Sequence, residues 1–493
     1  MRKPTGPLSP VEIALGVRSG GVTLARWLCD ELRRAILEGR LPRGTRMPGT
    51  RTFAAQYRIA RRTAVTVYEQ LQAEGYFTSA AGSGTVVNGK IPEDWQGIFA
   101  PGPVAPAKKA PLKGGSQPPR TEFEEVRAVR PAKPFHPMAS ELSEFPMDIW
   151  ARISSRRLRR IPVSILARGD LAGYRPLREA VAAHLGSSRG VTRSPDEIVI
   201  VSGIQQALDL VARLLITPGD HVWLEDPGYS GAADAFRGAG AEIVPVRVDA
   251  GGFDPLLAAR LSPKARLAYV TPAHQFVLGA TMPIERRLAL LSMARQRHAY
   301  VIEDDYDSEF RFAGQPIPAL QSLDRADSVI YMGSFNKVLF PSLRIGYLAA
   351  PPDLVEPILR LRWRADHYPP GLAQAVLCDF IAEGHFGRHV RRMRELYATR
   401  LEALHTYGSR YLAGILDLPR IEAGMNAPAH LLNGMSSKQA HALAAAAGIV
   451  SIPLDRYAIR RRDLNGLLLG FAAFTDREIR EGTIQLARAF GSV

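Results

Sequence analysis

In the second half of this 493-residue chain, the apolar run Tyr300-Val301-Ile302-Glu303 leads into Asp304-Asp305-Tyr306-Asp307. A second run, Val329-Ile330-Tyr331-Met332, leads into Gly333-Ser334-Phe335-Asn336-Lys337, and Arg344 follows. A carboxylate, a phenol, an amine and a guanidinium thus gather at the ends of neighbouring apolar runs. A lysine amine forms a Schiff base with an aldehyde. A buried carboxylate keeps a ring nitrogen protonated, so that the ring can withdraw electrons. An arginine, hydroxyls and the free amides of a helix start hold a phosphate. Pyridoxal phosphate needs all three. Gly203-Ile204-Gln205 opens a helix directly after an apolar run and supplies amides, and Tyr229, in Asp226-Pro227-Gly228-Tyr229, is placed to stack on a ring.

These residues need a scaffold that brings run ends together. From about residue 135, short apolar runs alternate with helical patterns: 197–202, 221–225, 243–247, 266–271, 299–303, 328–332 and 344–350 read as strands, with 204–215 and 284–297 among the helices between them. Such alternation predicts an α/β fold, a mainly parallel sheet with helices on both faces. Ligands then sit at the carboxyl ends of the strands.

The N-terminal part has a different pattern. Leu24, Leu28, Leu32, Ala35 and Ile36 form one face of a helix over 24–39, a turn-rich stretch follows, and helices are expected at 50–57 and 61–74. In the last, Ala64, Val67, Tyr68 and Leu71 make a core stripe, while Arg61, Arg62, Thr63 and Thr66 occupy the start and another face. Arginines and short polar groups at a helix start are what a recognition helix presents to DNA. Residues 76–87 read as a hairpin with Gly82, Ser83 and Gly84 at its tip.

Charge divides along the same line. Residues 1–90 hold 14 Lys/Arg and 6 Asp/Glu, a net of +8, which leaves +7 of the total +15 for the remainder. A basic head on a nearly neutral body fits a nucleic-acid partner. Between them, 89–134 is rich in proline and reads as a semi-extended tether. The resulting organisation is a DNA-binding head over 12–88, the linker, and an effector-binding and dimerisation body over 135–493. Cys29 and Cys378 are too few and too far apart for a disulfide framework or a zinc site, so no metal is expected. No leader and no apolar run long enough to span a bilayer is found, so the expected place is the cytoplasm.

Residues 24–87 resemble the winged helix-turn-helix of GntR-type regulators through "AILEGRLPRGTRMPGTR", "RRTAVTVYEQLQAEGYF" and "GSGTVV". Residues 135–490 resemble fold-type I aminotransferases through "VSGIQQALDLVARLL", "LEDPGY", "VTPAHQF", "VIEDDYDSEFRF" and "YMGSFNKVLFPSLRIGYL". Together they resemble the MocR subfamily, which fuses the two modules. The resemblance implies a homodimeric transcription regulator that binds a double-stranded DNA operator and holds pyridoxal phosphate as an aldimine on Lys337. It implies that Asp304 pairs with the pyridine nitrogen and that Tyr306 faces the phenolic oxygen. Arg344, Ser334, Ile204 and Gln205 would take the phosphate, and Tyr229 would stack. Arg51, Arg61, Arg62, Thr63, Thr66, Gly82, Ser83 and Gly84 would contact DNA.

The sequence departs from the pattern in five places. Arg58 stands where the turn before the recognition helix normally has glycine, and Ala60 where the helix normally has a Ser or Thr cap. Val277-Leu278-Gly279 replaces Pro-Thr-Gly, and Ala167-Arg168 replaces Gly-Tyr. Asn465-Gly466 occupies the neighbourhood where aminotransferases place an arginine for the substrate carboxylate; Arg460, Arg461 and Arg462 are the nearest arginines in sequence. Three readings follow: a sensor of pyridoxal phosphate or an amino-bearing effector, a working aminotransferase with a DNA-binding appendage, or a body that only dimerises.

Overall fold

A computed structural model describes residues 23–80, 84–89, 133–167, 169–313 and 317–491. The chain divides into an N-terminal and a C-terminal compact unit. Gly82, Ser83, Arg168 and nearly all of the tether lie outside the described residues.

The N-terminal unit contains α1 (Leu24–Leu37), α2 (Thr50–Gln56) and α3 (Arg61–Ala73), then β1 (Phe77–Ala80) and β2 (Gly84–Val87). The two strands are antiparallel, with Phe77 opposite Val87, and an isolated bridge joins Arg46 to Val86. The stripe expected on α1 is buried at Leu28, Leu32, Ala35 and Ile36, and that on α3 at Ala64, Val67, Tyr68 and Leu71. Tyr68 is the hub. Its ring lies 5.2 Å from that of Phe53 and 5.3 Å from that of Phe77, and its hydroxyl donates to Pro48 O at 3.0 Å. Arg33 clasps Glu74 through two hydrogen bonds of 2.7 and 2.5 Å, which ties α1 to the end of α3.

Arg58 turns the chain between α2 and α3 at φ 49°, the left-handed conformation that glycine adopts without cost. Ala60 caps α3 with extended geometry but has no side chain able to take a hydrogen bond from the first-turn amides.

The C-terminal unit is built on seven strands: β3 (Ile198–Val201), β4 (His221–Asp226), β5 (Glu242–Arg247), β6 (Leu267–Val270), β7 (Tyr300–Asp305), β8 (Val329–Ser334) and β9 (Gly346–Ala349). Their order is β3-β9-β8-β7-β6-β4-β5. The pairs from β5 through β8 are parallel, and β9 runs antiparallel to both β8 and β3. Ile198–Val201 is buried throughout, as expected of a strand covered on both faces. β7 and β8 each run two residues further than the apolar runs suggest, so Asp304, Asp305, Gly333 and Ser334 belong to strands and not to loops.

A second, antiparallel sheet follows: β10 (Leu416–Asp417), β11 (Asn426–Leu431), β12 (Ile452–Pro453) and β13 (Gly466–Gly470), in the order β10-β11-β13-β12. Only β13 coincides with a run that the sequence reads as a strand, residues 467–471. At the start of the unit, Phe135 is fully buried and Pro134 O accepts from Val450 N at 3.1 Å. Among the described residues no helix is long and apolar enough to cross a membrane, and both cysteines are free and buried.

The missing cap on α3 is open to test. Ala60→Ser supplies a side-chain acceptor and is expected to stabilise the N-terminal unit by ~1 kcal/mol. Hydrogen exchange of the peptides covering α3 in the full chain would slow accordingly; unchanged exchange would mean that the first-turn amides gain no partner.

Candidate functional site

The site forms where β7 and β8 end side by side. Strand alternation sends Glu303 and Asp305 to one face and Asp304 to the other. Asp304 is buried, and its Oδ2 accepts from the Tyr269 hydroxyl at 2.6 Å. Its Oδ1 is buried without a hydrogen-bond partner. Burial raises this carboxyl to about 6, against the lowering effects of Tyr269 and Lys337.

Lys337 lies on the short helix Phe335–Val338 that follows β8 directly; the Ser334 side chain caps it by accepting from Asn336 N at 3.2 Å. The Lys337 Nζ stands 5.0 Å from the centre of the Tyr306 ring and 3.9 Å from Met138 Sδ. Burial lowers its pKa, while Asp307 and Asp304 act in the opposite direction. The Ser140 hydroxyl donates to the Lys337 carbonyl at 2.9 Å and fixes the backbone.

Tyr306 is fixed from below. Its hydroxyl lies 3.0 Å from His274 Nδ1, which is also 2.9 Å from Asp307 Oδ1. Burial and Asp307 push the Tyr306 phenol well above its usual value. His274 Nε2 is buried and has no partner. Nearby, Glu225 accepts from Thr271 Oγ1 at 2.6 Å and from Gln275 Nε2 at 3.2 Å, and burial raises it to about 7. These bonds hold the loop that carries Phe276-Val277-Leu278-Gly279.

An anion cradle adjoins the lysine. Gly203, at φ 137°, leads into the helix Ile204–Leu215. A Cβ on it would lie 3.1 Å from Asn336 Nδ2 and 3.6 Å from both terminal nitrogens of Arg344, so the backbone approaches this guanidinium closely. Arg344 is exposed and itself left-handed, at φ 54°. Tyr229 sits at the start of the helix Ser230–Gly238, and its hydroxyl donates to Gln205 Oε1 at 3.2 Å.

The structure therefore brings Lys337, Asp304 and Tyr306 together, sets Arg344 against Gly203 at the head of the Ile204 helix, and joins Gln205 to Tyr229. Ser334 is engaged as a helix cap and Gln205 also donates to Gly231 O at 2.9 Å. Sequence reasoning gave no role to Tyr269, His274, Asp307 or Asn336. Tyr269, a lone phenol inside an apolar strand, and Asp307, the last acid of a run, were the available signals.

On the N-terminal unit, Arg61, Arg62 and Thr66 are exposed along the start of α3, Thr63 is half-buried, and Arg51 is exposed on α2. Thr66 Oγ1 donates back to Arg62 O at 3.0 Å. Gly84 is exposed at the start of β2, with the Arg46 guanidinium against it.

Comparison with known proteins gives the same division. Residues 24–87 match the model for bacterial regulatory proteins of the gntR family, and 159–408 match that for aminotransferase class I and II. The probable rhizopine catabolism regulatory protein MocR of Rhizobium meliloti is 38% identical over 96% of this chain and 95% of its own length. The HTH-type transcriptional regulator TauR of Rhodobacter capsulatus is 33% identical over 80% of this chain and 81% of its own. Among solved structures, the α-aminoadipate aminotransferase LysN of Thermus thermophilus, complexed with N-(5'-phosphopyridoxyl)-L-leucine, superimposes with a TM-score of 0.68 at 29% identity, covering 75% of this chain and 94% of that one. The N-terminal unit with its arginine-led α3, the sheet that ends in Asp304 and Lys337, and these likenesses lead to one assignment: the chain belongs to the gntR family of regulators, in the MocR-like branch whose body is a class I and II aminotransferase domain.

Proposed function

We infer that this chain is a pyridoxal-phosphate-dependent, DNA-binding transcription regulator, in which the aminotransferase-like body binds the cofactor on Lys337 and senses the cofactor or an amino-bearing effector. The observation that carries this is the buried, unpartnered Oδ1 of Asp304 beside a lysine whose amine is already desolvated. A carboxylate in that state suits a protonated ring nitrogen. A lysine with a lowered pKa offers more of its nucleophilic neutral amine near neutral pH.

The cofactor, when bound, supplies an aldehyde for Lys337 and a ring that withdraws electrons. The chain's own residues do the rest. Tyr269 orients Asp304, His274 and Asp307 orient Tyr306, and Arg344 with the amides at Gly203 and Ile204 offers the phosphate site. Tyr229, held by Gln205, is assigned to one side of the ring. Arg51, Arg61, Arg62, Thr63, Thr66 and the wing at Gly82, Ser83 and Gly84 are assigned to DNA. The protein is proposed to act in the cytoplasm as a homodimer that presents two heads to two half-sites. An effector changes DNA binding only through its different affinity for two arrangements of that dimer.

The purified protein given pyridoxal phosphate is expected to show a visible absorption band that Lys337→Ala abolishes. A band that survives in the variant would remove Lys337 from the reading.

Asp304→Asn separates two effects of opposite sign. The wild-type carboxyl has a raised value in the folded protein, so its ionisation costs stability as pH rises from about 3.8 to about 6, and the cost remains above that. The cofactor-free variant is therefore expected to melt higher than wild type at pH 8 and equally below pH 3.8. Its affinity for pyridoxal phosphate is expected to fall by about 2 kcal/mol, the worth of one charge-assisted hydrogen bond. Unchanged affinity would show that Asp304 does not meet the cofactor.

For the head, Arg61→Ala and Arg62→Ala are each expected to weaken binding to mixed-sequence duplex DNA. Each should also lower the slope of log affinity against log salt by about 1. Fluorescence anisotropy over a salt series reads this directly; an unchanged slope would take that arginine off the phosphate backbone.

A further inference from the structure

We propose that the apolar surroundings of Lys337 select a primary amine without a carboxylate, an alkyl or arylalkyl monoamine, over the α-amino acid with the same side chain. This rests on the cofactor reading above. Phe276, Val277, Leu454 and Leu468 form a buried apolar cluster, against which Met138, Tyr229, Tyr306, Ile452 and Tyr457 pack. It reaches the lysine, since Nζ lies 5.0 Å from the centre of the Tyr306 ring and 3.9 Å from Met138 Sδ. Phe276 stands at its centre, edge-on to Tyr306 at 5.6 Å, Tyr457 at 5.1 Å and Tyr229 at 6.0 Å.

The far wall comes from the second sheet. Along β13, Leu467 and Leu469 face the main core, and Leu468 faces this cluster. On this side β13 thus contributes a buried leucine and no cation. Arg461 is committed elsewhere: its Nη1 donates to Val248 O at 2.9 Å and its Nε to Asp463 at 2.8 Å. Arg460 and Arg462 are exposed. The ionisable groups that influence Lys337 are the acids Asp307 and Asp304, and neither offers a cation to a carboxylate. A carboxylate brought against this wall would lose its water without gaining a partner. An apolar or aromatic body would instead gain from burial and from edge-to-face contact with Phe276.

The exchange is balanced. With the cofactor bound to Lys337, the effector nitrogen would take the place of Nζ on the cofactor's carbon, one carbon–nitrogen bond forming as the other breaks. Counted from a neutral amine, both of its protons end on Nζ, and neither water nor an oxidant is consumed.

The test titrates the full-length protein, loaded with pyridoxal phosphate, with 2-phenylethylamine and with L-phenylalanine, which differ only in the carboxylate. The shift of the visible band is expected at roughly tenfold lower concentration of the amine. Leu468→Arg is expected to narrow or invert that ratio, and Leu468→Gln serves if the arginine variant does not fold. Equal half-saturation by the two compounds in the wild type, or tighter binding of the amino acid, overturns the inference and leaves the cofactor reading standing. Absence of any visible band overturns the cofactor reading and this inference with it.

Discussion

A carboxylate held away from water with one oxygen satisfied and the other not is an unstable arrangement, and Asp304 is in it. Tyr269 donates to Oδ2 and nothing donates to Oδ1. A buried acceptor left unpaired costs about 1–3 kcal/mol, more when charged. The fold bears this cost because β7 is locked between β6 and β8 and cannot withdraw the side chain. Lys337 shares the constraint from the other side, since its amine is lowered by the same desolvation that raises Asp304. A ligand with a protonated ring nitrogen and an aldehyde, as proposed above, would give each group a partner.

The opposite face of β7 shows how such acids are stabilised when no ligand is needed. Asp305 takes an ion pair from Arg189 at 2.7 Å and a hydrogen bond from the Tyr331 hydroxyl at 2.5 Å. Glu303 accepts the backbone amides of Leu320 and Gln321 at 2.7 and 2.9 Å. Strand alternation therefore divides three consecutive buried acids: Glu303 accepts two amides, Asp305 meets a cation and a phenol through Oδ2 while its Oδ1 is also buried without a partner, and Asp304, on the other face, has the Tyr269 hydroxyl. Composition does not separate them; the period of two does. Arg189, Tyr331 and the amides of Leu320 and Gln321 anchor the strand end on the face opposite Asp304.

Much of this was legible in the sequence for definite reasons. The seven strands of the main sheet are short apolar runs because both faces are covered, so each run marks its strand to within two residues at either end. Asp304 and Lys337 stood out because a charge ends an apolar run in each case. The second sheet was hidden: β10 and β12 are two residues long, and β11 carries Pro428 in its middle. The contact of His274 with Tyr306 and Asp307 joins separate loops and leaves no local pattern. The apolar wall was hidden in the same way. Phe276 and Val277 come from the loop after β6, Leu454 from the 3-10 turn after β12 and Leu468 from β13, and only packing makes them one surface.

Two arginines raise the same question in both units. Arg58, at the turn into α3, and Arg344, beside Gly203, both hold left-handed backbone, at φ 49° and 54°. For a residue with a Cβ this costs roughly 1–2 kcal/mol, and glycine would remove it. Such outliers persist where the surrounding structure over-determines them, and they concentrate at functional sites. Both side chains are exposed, so neither repays the strain by packing in a core. What a guanidinium offers at an exposed turn is a fixed positive charge with a planar set of donors, which suits a phosphate. Beside Gly203 the phosphate we propose is the cofactor's, and at the turn into α3 the DNA backbone's. The strain at each turn is then the cost of keeping a charged side chain where backbone geometry alone would favour glycine.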